Sequence, residues 1–273
     1  MAGHTSLRVG LAGFGSIGRT VGDALDAGMP GLSLSAIAVR NPAKAQAHLD
    51  TYTNNKVPIV SLAELPSVSD IVVECTSRKA FRDAVEPAID AGRIVIAATV
   101  GGLLQHPDLI ERAQKTGARM MVPTGGLLGF DAVRAAAEGT IHSVKLLTRK
   151  PPLSLHDAPV LQEKGIDPKS LTEPVQVFAG SARQAIDTFP VGLNIAIALS
   201  LAGIGPDKTM LEVWLDPGVT RNIHKVEVDS DCAAFTMTME SEPAEDNPHS
   251  AKIAALSLLA TLRGLTATMK VGT

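Results

Sequence analysis

The stretch that decides the fold is Leu7-Arg8-Val9-Gly10-Leu11-Ala12-Gly13-Phe14-Gly15-Ser16-Ile17-Gly18. Its first six residues form an apolar run of strand length, and Val21, Ala24 and Leu25 after it are spaced for one face of a helix. A strand, a glycine turn and a helix are the context in which a G-x-G-x-x-G pattern indicates a dinucleotide site. The alternative is a glycine-rich turn without a ligand.

The residues of this turn have separate expected tasks. Gly13 permits the tight turn, Gly15 lets a pyrophosphate approach the backbone, and Gly18 lets the helix pack closely on the strand. The pyrophosphate would bind the N–H groups at the helix N-terminus, where the helix dipole favours an anion. The residues expected to contact the dinucleotide here are Gly13, Gly15, Ser16, Ile17 and Gly18.

Length and composition limit the class of protein. The chain has 273 residues, of which 45% are hydrophobic and 19% charged, with a net charge of -3, as is typical of a soluble globular protein with two domains. It has no basic block, so neither nucleic acid nor an anionic membrane is an expected partner. Cys75 and Cys232 lack metal-type spacing, so no metal is expected, and Cys75 is interpreted as a buried thiol. Without a leader or a long apolar run, a cytoplasmic setting is expected.

Strand-like and helix-like segments alternate through the first part of the chain. This alternation predicts an α/β fold with a Rossmann-type, doubly wound parallel sheet. Ligands of such sheets bind at the carboxyl ends of the strands, and polar or glycine clusters follow three strands, at 76–77, 99–102 and 124–126. Each cluster alone is ordinary turn chemistry, but with the glycine turn they predict one cofactor cleft. Its expected contacts include Thr76, Val100 and Gly101.

Arg40 stands about 20 residues past the glycines, where an acidic residue would bind the ribose hydroxyls of NAD. Arginine there can pair with a 2′-phosphate or stack on adenine. We therefore favour NADP, or the use of both NAD and NADP, with Arg40 and the adjacent Asn41 in contact with the cofactor. A solvated surface arginine is the alternative.

The pattern changes after Gly126. Later strands follow one another without helices between them, which predicts a second α/β domain with an antiparallel or mixed sheet. We place the dinucleotide-binding domain at residues 1–124 and the second domain at residues 125–246. Asn247 and Pro248 are a helix start signal, so we expect a last helix within 247–273 that packs back on the first domain.

Two residues of the second domain are candidates for chemistry. His224 follows a turn and is the best placed of the seven histidines to exchange protons near neutral pH, although a structural histidine is the alternative. Asn194 is the one amide on a very apolar helix. It either bonds to the backbone or binds a cofactor or substrate, because an unpartnered amide there is costly.

The second half of the chain also contains several unusual motifs. They are Val122-Pro123-Thr124-Gly125-Gly126-Leu127-Leu128-Gly129-Phe130-Asp131-Ala132-Val133, Arg149-Lys150-Pro151-Pro152, Phe178-Ala179-Gly180-Ser181-Ala182-Arg183-Gln184-Ala185, Phe189-Pro190 through Asn194, Asp216-Pro217, Asn222-Ile223-His224 and Asn247-Pro248. In this order, and behind the glycine turn, they resemble the L-aspartate dehydrogenase family over almost the whole chain. The resemblance implies a Rossmann domain followed by an α/β domain that binds substrate and forms dimers. It also implies that His224 is catalytic, that Asn194 contacts the cofactor and that Gly126 is the small residue near the nicotinamide.

The function that this resemblance implies is NAD(P)-dependent oxidation of L-aspartate to oxaloacetate and ammonia through iminosuccinate, or the reverse reaction, in a homodimer. We expect Lys150 and Thr124 to bind the dicarboxylate, although Lys150 is equally well interpreted as a surface charge beside a turn. Gly192 and Thr124 depart from the family pattern, where asparagine and serine are common. They leave open a dehydrogenase or imine reductase for another small amino acid. A non-catalytic NAD(P)-binding sensor is the remaining alternative.

Overall fold

The computed structural model describes residues 6–54, 56–189, 193–244 and 247–272. The chain forms two compact units, Met1–Pro123 with Ala255–Val271, and Thr124–Ala254 with Gly272–Thr273. Gly192, one of the departures from the family pattern, lies outside the described residues. Among the described helices, none is both long enough and apolar enough to span a membrane.

The first unit contains a six-stranded sheet in the order β3-β2-β1-β4-β5-β6, with every neighbouring pair parallel. Its strands are β1 (Leu7–Ala12), β2 (Leu32–Ala38), β3 (Ile59–Val60), β4 (Ile71–Glu74), β5 (Ile94–Ala97) and β6 (Arg119–Met121). The strand order reverses between β1 and β4, which is where a doubly wound sheet opens a crevice for ligands. The predicted Rossmann-type sheet is therefore confirmed.

Helices connect these strands. They are α1 (Ser16–Asp26), α2 (Pro42–Leu49), α3 (Phe81–Asp90), α4 (Gly101–Gln105) and α5 (Asp108–Thr116), with 3₁₀ turns at Leu65–Ser67 and Arg78–Ala80. Because helices cover such a sheet, its strands are buried on both faces and read as continuous apolar runs. Val9, Leu11, Ile71 and Val73 are each 0% exposed, as this arrangement requires.

The second unit is built on a mixed five-stranded sheet in the order β11-β10-β7-β9-β8, so the predicted mixed sheet is also confirmed. Its strands are β7 (Ile141–Lys150), β8 (Val175–Ser181), β9 (Thr209–Leu215), β10 (Asn222–Ser230) and β11 (Ala234–Ser241). β7 and β9 are parallel, and the other neighbours are antiparallel. β7 and β10 are neighbouring antiparallel strands. Along both strands, residues alternate between a buried and a more exposed face, and the even-numbered residues are the buried ones from Val144 and from Asn222 onward.

The helices of the second unit are α6 (Phe130–Ala137), α7 (Pro159–Glu163), α8 (Ala182–Thr188) and α9 (Asn194–Ala202). The stretch between β7 and β8, which has little periodicity in sequence, contains a 3₁₀ turn at Pro152–Leu155 as well as α7. Leu155 and Leu161 from this stretch are buried, at 4% and 2% exposure. The stretch is therefore anchored by apolar side chains and is more regular than its sequence suggests.

The end of the chain differs from the prediction of a helix that starts at Asn247. Asn247–Ala251 forms a strand, β13, which pairs with β12 (Pro243–Ala244), and the last helix, α10, is Lys252–Thr266. Strand pairing outweighs the local helix signal, and Pro248 is tolerated because this ribbon has only two strands and therefore only edges. Leu258 and Leu262 of α10 are 0% exposed and belong to the core cluster of the first unit, together with Leu11 and Val21.

Candidate active site

The glycine turn joins the end of β1 to the start of α1. Gly13 has a φ of +94°, and a Cβ there would lie 2.5 Å from the carbonyl oxygen of Cys75. A Cβ at Gly18 would lie 2.5 Å from the carbonyl oxygen of Gly13. Gly15 differs, because no described atom beyond its immediate neighbours lies within 4 Å of the place where its Cβ would be. The backbone is thus closely packed at the first and third glycines and open at the second.

This geometry fits the pyrophosphate of a dinucleotide. Gly15 is the N-cap of α1, and Ser16 and Ile17 begin its first turn, which contains no acidic residue. The N–H groups of a first helical turn have no acceptor within the helix, so they attract an anion that can approach them. The open backbone at Gly15 provides that approach.

The segment after β2 places the two predicted adenosine-side residues next to each other. Arg40 is exposed two residues beyond the end of β2, and its guanidinium makes no ion pair with a residue that the structure describes. The side-chain oxygen of Asn41 accepts a hydrogen bond from the Lys44 N–H at 3.2 Å and thereby caps α2. Asn41 therefore has a structural task besides its predicted cofactor contact.

Sequence reasoning missed Glu74, the last residue of β4, which is 0% exposed. Its Oε1 accepts hydrogen bonds from the Thr76 N–H at 2.6 Å and the Thr76 hydroxyl at 2.7 Å, and its Oε2 accepts one from the Thr99 N–H at 2.9 Å. Burial raises the pKa of Glu74, and these hydrogen bonds oppose that shift. The signal in the sequence was a charged residue inside an otherwise continuous apolar run.

The predicted cofactor residues after β4 and β5 lie close to the glycine turn or at the start of a helix. A Cβ at Gly13 would lie 3.3 Å from the backbone nitrogen of Thr76. Val100 is the N-cap of α4 and Gly101 its first residue, and both are buried. The N–H and hydroxyl of Thr76 are already bonded to Glu74, so any direct donation from Thr76 to a cofactor competes with that carboxylate.

In the second unit, Lys150 and His224 lie on neighbouring strands and on the same buried face. Lys150 ends β7 and is 4% exposed, while His224 lies on β10 and is 3% exposed. His224 is paired with Thr148, whose hydroxyl oxygen lies 3.2 Å from the His224 Nδ1. Because Lys150 is buried, its interpretation as a surface charge is wrong.

The charges of this pair are set by burial. Burial lowers the pKa of Lys150 to about 8. Burial and the nearby Lys150 charge lower the pKa of His224 to about 3. The neighbouring carboxylate of Asp216 is bonded to Arg149 at 2.8 Å, and Lys150 forms no ion pair with a described residue. At neutral pH, His224 is therefore neutral and Lys150 is a buried cation that lacks a carboxylate partner in the described part of the chain.

The remaining predicted residues of the second unit lie before α6 and at the start of α9. Asn194 is the first residue of the apolar helix α9 and is exposed. A Cβ at Gly126 would lie 3.5 Å from the side chain of Ile195, so Gly126 packs in space against the residue that follows Asn194. Thr124 is partly exposed and accepts a backbone hydrogen bond from Leu127 at 3.2 Å. Their cofactor and substrate contacts remain predictions.

Two buried polar side chains near His224 were not predicted. Asn222 precedes His224 by two residues on the same face of β10, and it is paired with Ser241 of β11. Asn222 Oδ1 and Ser241 Oγ are buried without a hydrogen-bond partner among the described residues. Buried polar atoms are normally hydrogen-bonded, so this end of β10 carries unsatisfied polar groups as well as the candidate base.

Comparison with known proteins identifies the family. The model described as "Aspartate dehydrogenase, C-terminal" matches residues 131–265, and the one described as "Homoserine dehydrogenase, NAD binding domain" matches residues 13–123. An L-aspartate dehydrogenase of Bradyrhizobium diazoefficiens is 49% identical over 269 residues, which are 98% of this chain and 95% of that protein. This chain belongs to the L-aspartate dehydrogenase family. L-aspartate dehydrogenase 3 of Bordetella bronchiseptica is 47% identical over the full length of both chains.

Solved structures agree with the family at the level of fold. The crystal structure of aspartate dehydrogenase from Thermotoga maritima has a TM-score of 0.73 at 21% identity and covers 97% of this chain and 99% of that one. A homoserine dehydrogenase from Thiobacillus denitrificans has a TM-score of 0.64 at 16% identity and covers 96% of this chain and 73% of that one. The predicted family of NAD(P)-dependent dehydrogenases and the predicted two-part α/β fold are thereby confirmed.

Proposed function

We propose that this protein oxidises L-aspartate to oxaloacetate and ammonia with a nicotinamide dinucleotide, or catalyses the reverse reaction. The observation that carries the proposal is the buried Lys150 cation, without a carboxylate partner among the described residues, beside the neutral imidazole of His224. A buried cation favours an anion as its partner. A dicarboxylate substrate supplies one, and the relatives of this chain are named for such a substrate.

The overall reaction converts L-aspartate, NAD(P)⁺ and water to oxaloacetate, ammonium, NAD(P)H and a proton. When bound, the nicotinamide ring accepts the hydride that leaves the α-carbon as its C–H bond breaks. A C=N bond then forms in iminosuccinate, water adds to its carbon, and the C–N bond breaks as ammonia leaves. The protein has to move the protons of the amine and of the water.

His224 is the residue that we assign to these proton transfers. With its pKa lowered to about 3, it is a neutral base throughout the physiological pH range. It accepts a proton from the amine or from the attacking water and returns one to the leaving nitrogen. The Thr148 hydroxyl at 3.2 Å holds Nδ1, which fixes the orientation of the ring.

Lys150 is the residue that we assign to a substrate carboxylate, with Thr124 as a second donor. A carboxylate beside Lys150 cancels part of the positive charge that lowers the pKa of His224. Substrate binding therefore brings the His224 pKa closer to neutrality. This makes the imidazolium easier to form when the proton has to be accepted.

For the cofactor, we propose NADP, or dual use of NAD and NADP. The exposed Arg40 supports this proposal, because it stands where an acidic residue would repel a 2′-phosphate. We assign the pyrophosphate to the glycine turn and the nicotinamide surroundings to Asn194 and Gly126. We also propose that the protein is a cytoplasmic homodimer.

The proposal is tested by measuring NAD(P)H formation from L-aspartate with NAD⁺ and, separately, NADP⁺. We expect turnover by the wild-type protein, with the higher kcat/KM for NADP⁺. We expect His224→Ala to lower kcat by about 10²- to 10⁴-fold, the usual contribution of a general acid–base. His142→Ala is the matched control, because His142 is exposed on β7 of the same sheet. A wild-type protein without turnover, or an unchanged kcat in His224→Ala, would contradict the proposal.

A further inference from the structure

We propose that Glu74 is a positioning residue for the nicotinamide half of the dinucleotide, because it ties together the two segments that follow β4 and β5. This inference rests on the proposed function, since it assumes that the first unit binds a nicotinamide dinucleotide. Glu74 itself is fully buried, so it acts through the segments that it holds.

The tie consists of hydrogen bonds between three residues. One oxygen of Glu74 binds the N–H and hydroxyl of Thr76, at 2.6 and 2.7 Å, and the other binds the N–H of Thr99 at 2.9 Å. The Thr99 hydroxyl also donates to the carbonyl oxygen of Thr76 at 2.9 Å. The two segments are thus joined both through the carboxylate and directly.

The position of this tie in the sheet points to one half of the cofactor. A doubly wound sheet binds a dinucleotide with one mononucleotide on each side of the point where the strand order reverses. The side formed by β1, β2 and β3 contains the glycine turn and Arg40, which indicates the adenosine half. Glu74 and Thr99 lie at the carboxyl ends of β4 and β5 on the other side, which leaves them the nicotinamide half.

The glycine turn has a backbone support that does not depend on the Glu74 carboxylate. A Cβ at Gly13 would lie 2.5 Å from the carbonyl oxygen of Cys75 and 3.3 Å from the backbone nitrogen of Thr76. The Cys75 N–H bonds to the carbonyl oxygen of Ala12 at 2.8 Å. The Cys75 wall against which the first glycine packs is therefore fixed to β1 by a backbone bond of its own, so we expect the glycine turn and the adenosine half to keep their geometry when the Glu74 tie is lost.

A carboxylate is the side chain that this position requires. Each of its two oxygens faces a backbone N–H, and an N–H can only donate. A glutamine of nearly the same size would turn its NH₂ group toward one of these N–H groups in either orientation. It would satisfy one segment and repel the other. An apolar residue would fill the strand without the cost of burying a charge, but it would hold neither segment.

The test measures binding of NADH and NADPH to wild type and Glu74→Gln by fluorescence. Binding of the adenosine-half fragments ADP and adenosine 2′,5′-bisphosphate is measured by calorimetry. We expect Glu74→Gln to raise the Kd for the preferred reduced dinucleotide about tenfold, as for a lost hydrogen bond to a charged group. The matching fragment is ADP for NADH and adenosine 2′,5′-bisphosphate for NADPH. We expect the Kd of this fragment to change by less than about twofold, because it binds on the side of the sheet formed by β1, β2 and β3.

Ser69→Ala is the matched control, because Ser69 is 0% exposed, hydrogen-bonds to Ser35 and precedes β4 at the opposite end of the strand. Thr99→Val is a second variant that removes the direct hydrogen bond between the segments and leaves the carboxylate intact, and it should weaken dinucleotide binding in the same direction.

The inference is overturned if a folded Glu74→Gln binds dinucleotide like wild type or loses dinucleotide and fragment equally. If Glu74→Gln does not fold, unchanged dinucleotide binding by Thr99→Val overturns it. A wild-type protein that binds no dinucleotide overturns the proposed function as well.

Discussion

Lys150 carries a positive charge at a position where burial disfavours that charge. Its pKa is lowered to about 8 from the ordinary value of 10.5, with burial as the cause. A basic group with a lowered folded pKa destabilises the fold wherever it is protonated in both states, which is at any pH below the folded pKa. This penalty disappears as the pH rises through the window between the two values. The anion site that we propose at Lys150 therefore lowers the stability of the fold.

Replacement of Lys150 is therefore expected to stabilise the protein and to remove anion binding. At pH 7, we expect Lys150→Met to increase the free energy of unfolding by about 3 kcal/mol, the equivalent of the pKa shift. The gain should shrink between about pH 8 and pH 10.5. Denaturant unfolding over this pH range checks the sign of the change in the free energy of unfolding. The Kd of succinate, a dicarboxylate that cannot react, checks whether the variant still binds an anion.

Lys145→Met is the control for this experiment, because Lys145 is exposed on the same strand, β7. We expect it to change the free energy of unfolding by less than about 0.5 kcal/mol. It should also leave succinate binding unchanged. A Lys150→Met variant that is less stable than wild type at pH 7, or that binds succinate equally well, would refute the role assigned to this lysine.

At the scale of one turn, we expect two glycines between β1 and α1 to have different tasks, since one is needed for ligand binding and the other for stability. Gly15→Ala adds a Cβ that meets no described atom within 4 Å, and the φ of -82° at this residue suits alanine. We expect a stability close to that of wild type but a Kd for NAD(P)H at least about tenfold higher, because the methyl group occupies the approach of the pyrophosphate.

Gly13→Ala is the contrasting variant. It combines a φ of +94° with a Cβ only 2.5 Å from the Cys75 carbonyl oxygen. We expect a loss of stability of about 2 kcal/mol or more. Thermal unfolding and fluorescence titration of both variants separate the two effects. A Gly15→Ala variant that binds NAD(P)H normally would remove the pyrophosphate from this turn.

Strands were the elements that the sequence predicted best. β4 and β5 are apolar runs with few exceptions, because burial on both faces of a parallel sheet requires such runs. The segment at Asn247 was predicted wrongly, since its helix signal is local and the pairing with Pro243–Ala244 that overrides it is not. Local chemistry could not show that this partner strand would be available.

Residue type and motif were enough to name candidate residues for the site, but not to predict how buried those residues are or what surrounds them. His224 and Lys150 were both named, but their shared burial depends on the register of β7 with β10, which the sequence does not contain. For the same reason, Lys150 was equally well interpreted as a surface charge. Glu74 was missed because its three hydrogen bonds come from two segments that follow different strands. These environments arise from tertiary pairing, not from local pattern.

At the scale of the whole molecule, the chain completes its first unit with its last helix. Leu258 of α10 is 0% exposed within the core cluster that also contains Val9 and Leu11. We expect Leu258→Ala to lower the free energy of unfolding by about 2–5 kcal/mol, the usual cost of such a cavity. Leu256→Ala is the control on the same helix, because Leu256 is 51% exposed. Denaturant unfolding compares the two, and equal losses would show that α10 is not part of this core.

The return of α10 to the first unit has a consequence for biosynthesis. During translation, β1 to β6 are synthesised first, then the whole second unit, and only afterwards the helix that contains Leu258 and Leu262. The nascent first unit therefore exposes the apolar surface that these leucines cover for as long as the second unit is being translated. Its core can close only after α10 has been synthesised, so a chain interrupted before α10 leaves the ribosome with an incomplete nucleotide-binding unit whose exposed apolar surface chaperones or proteases would have to handle.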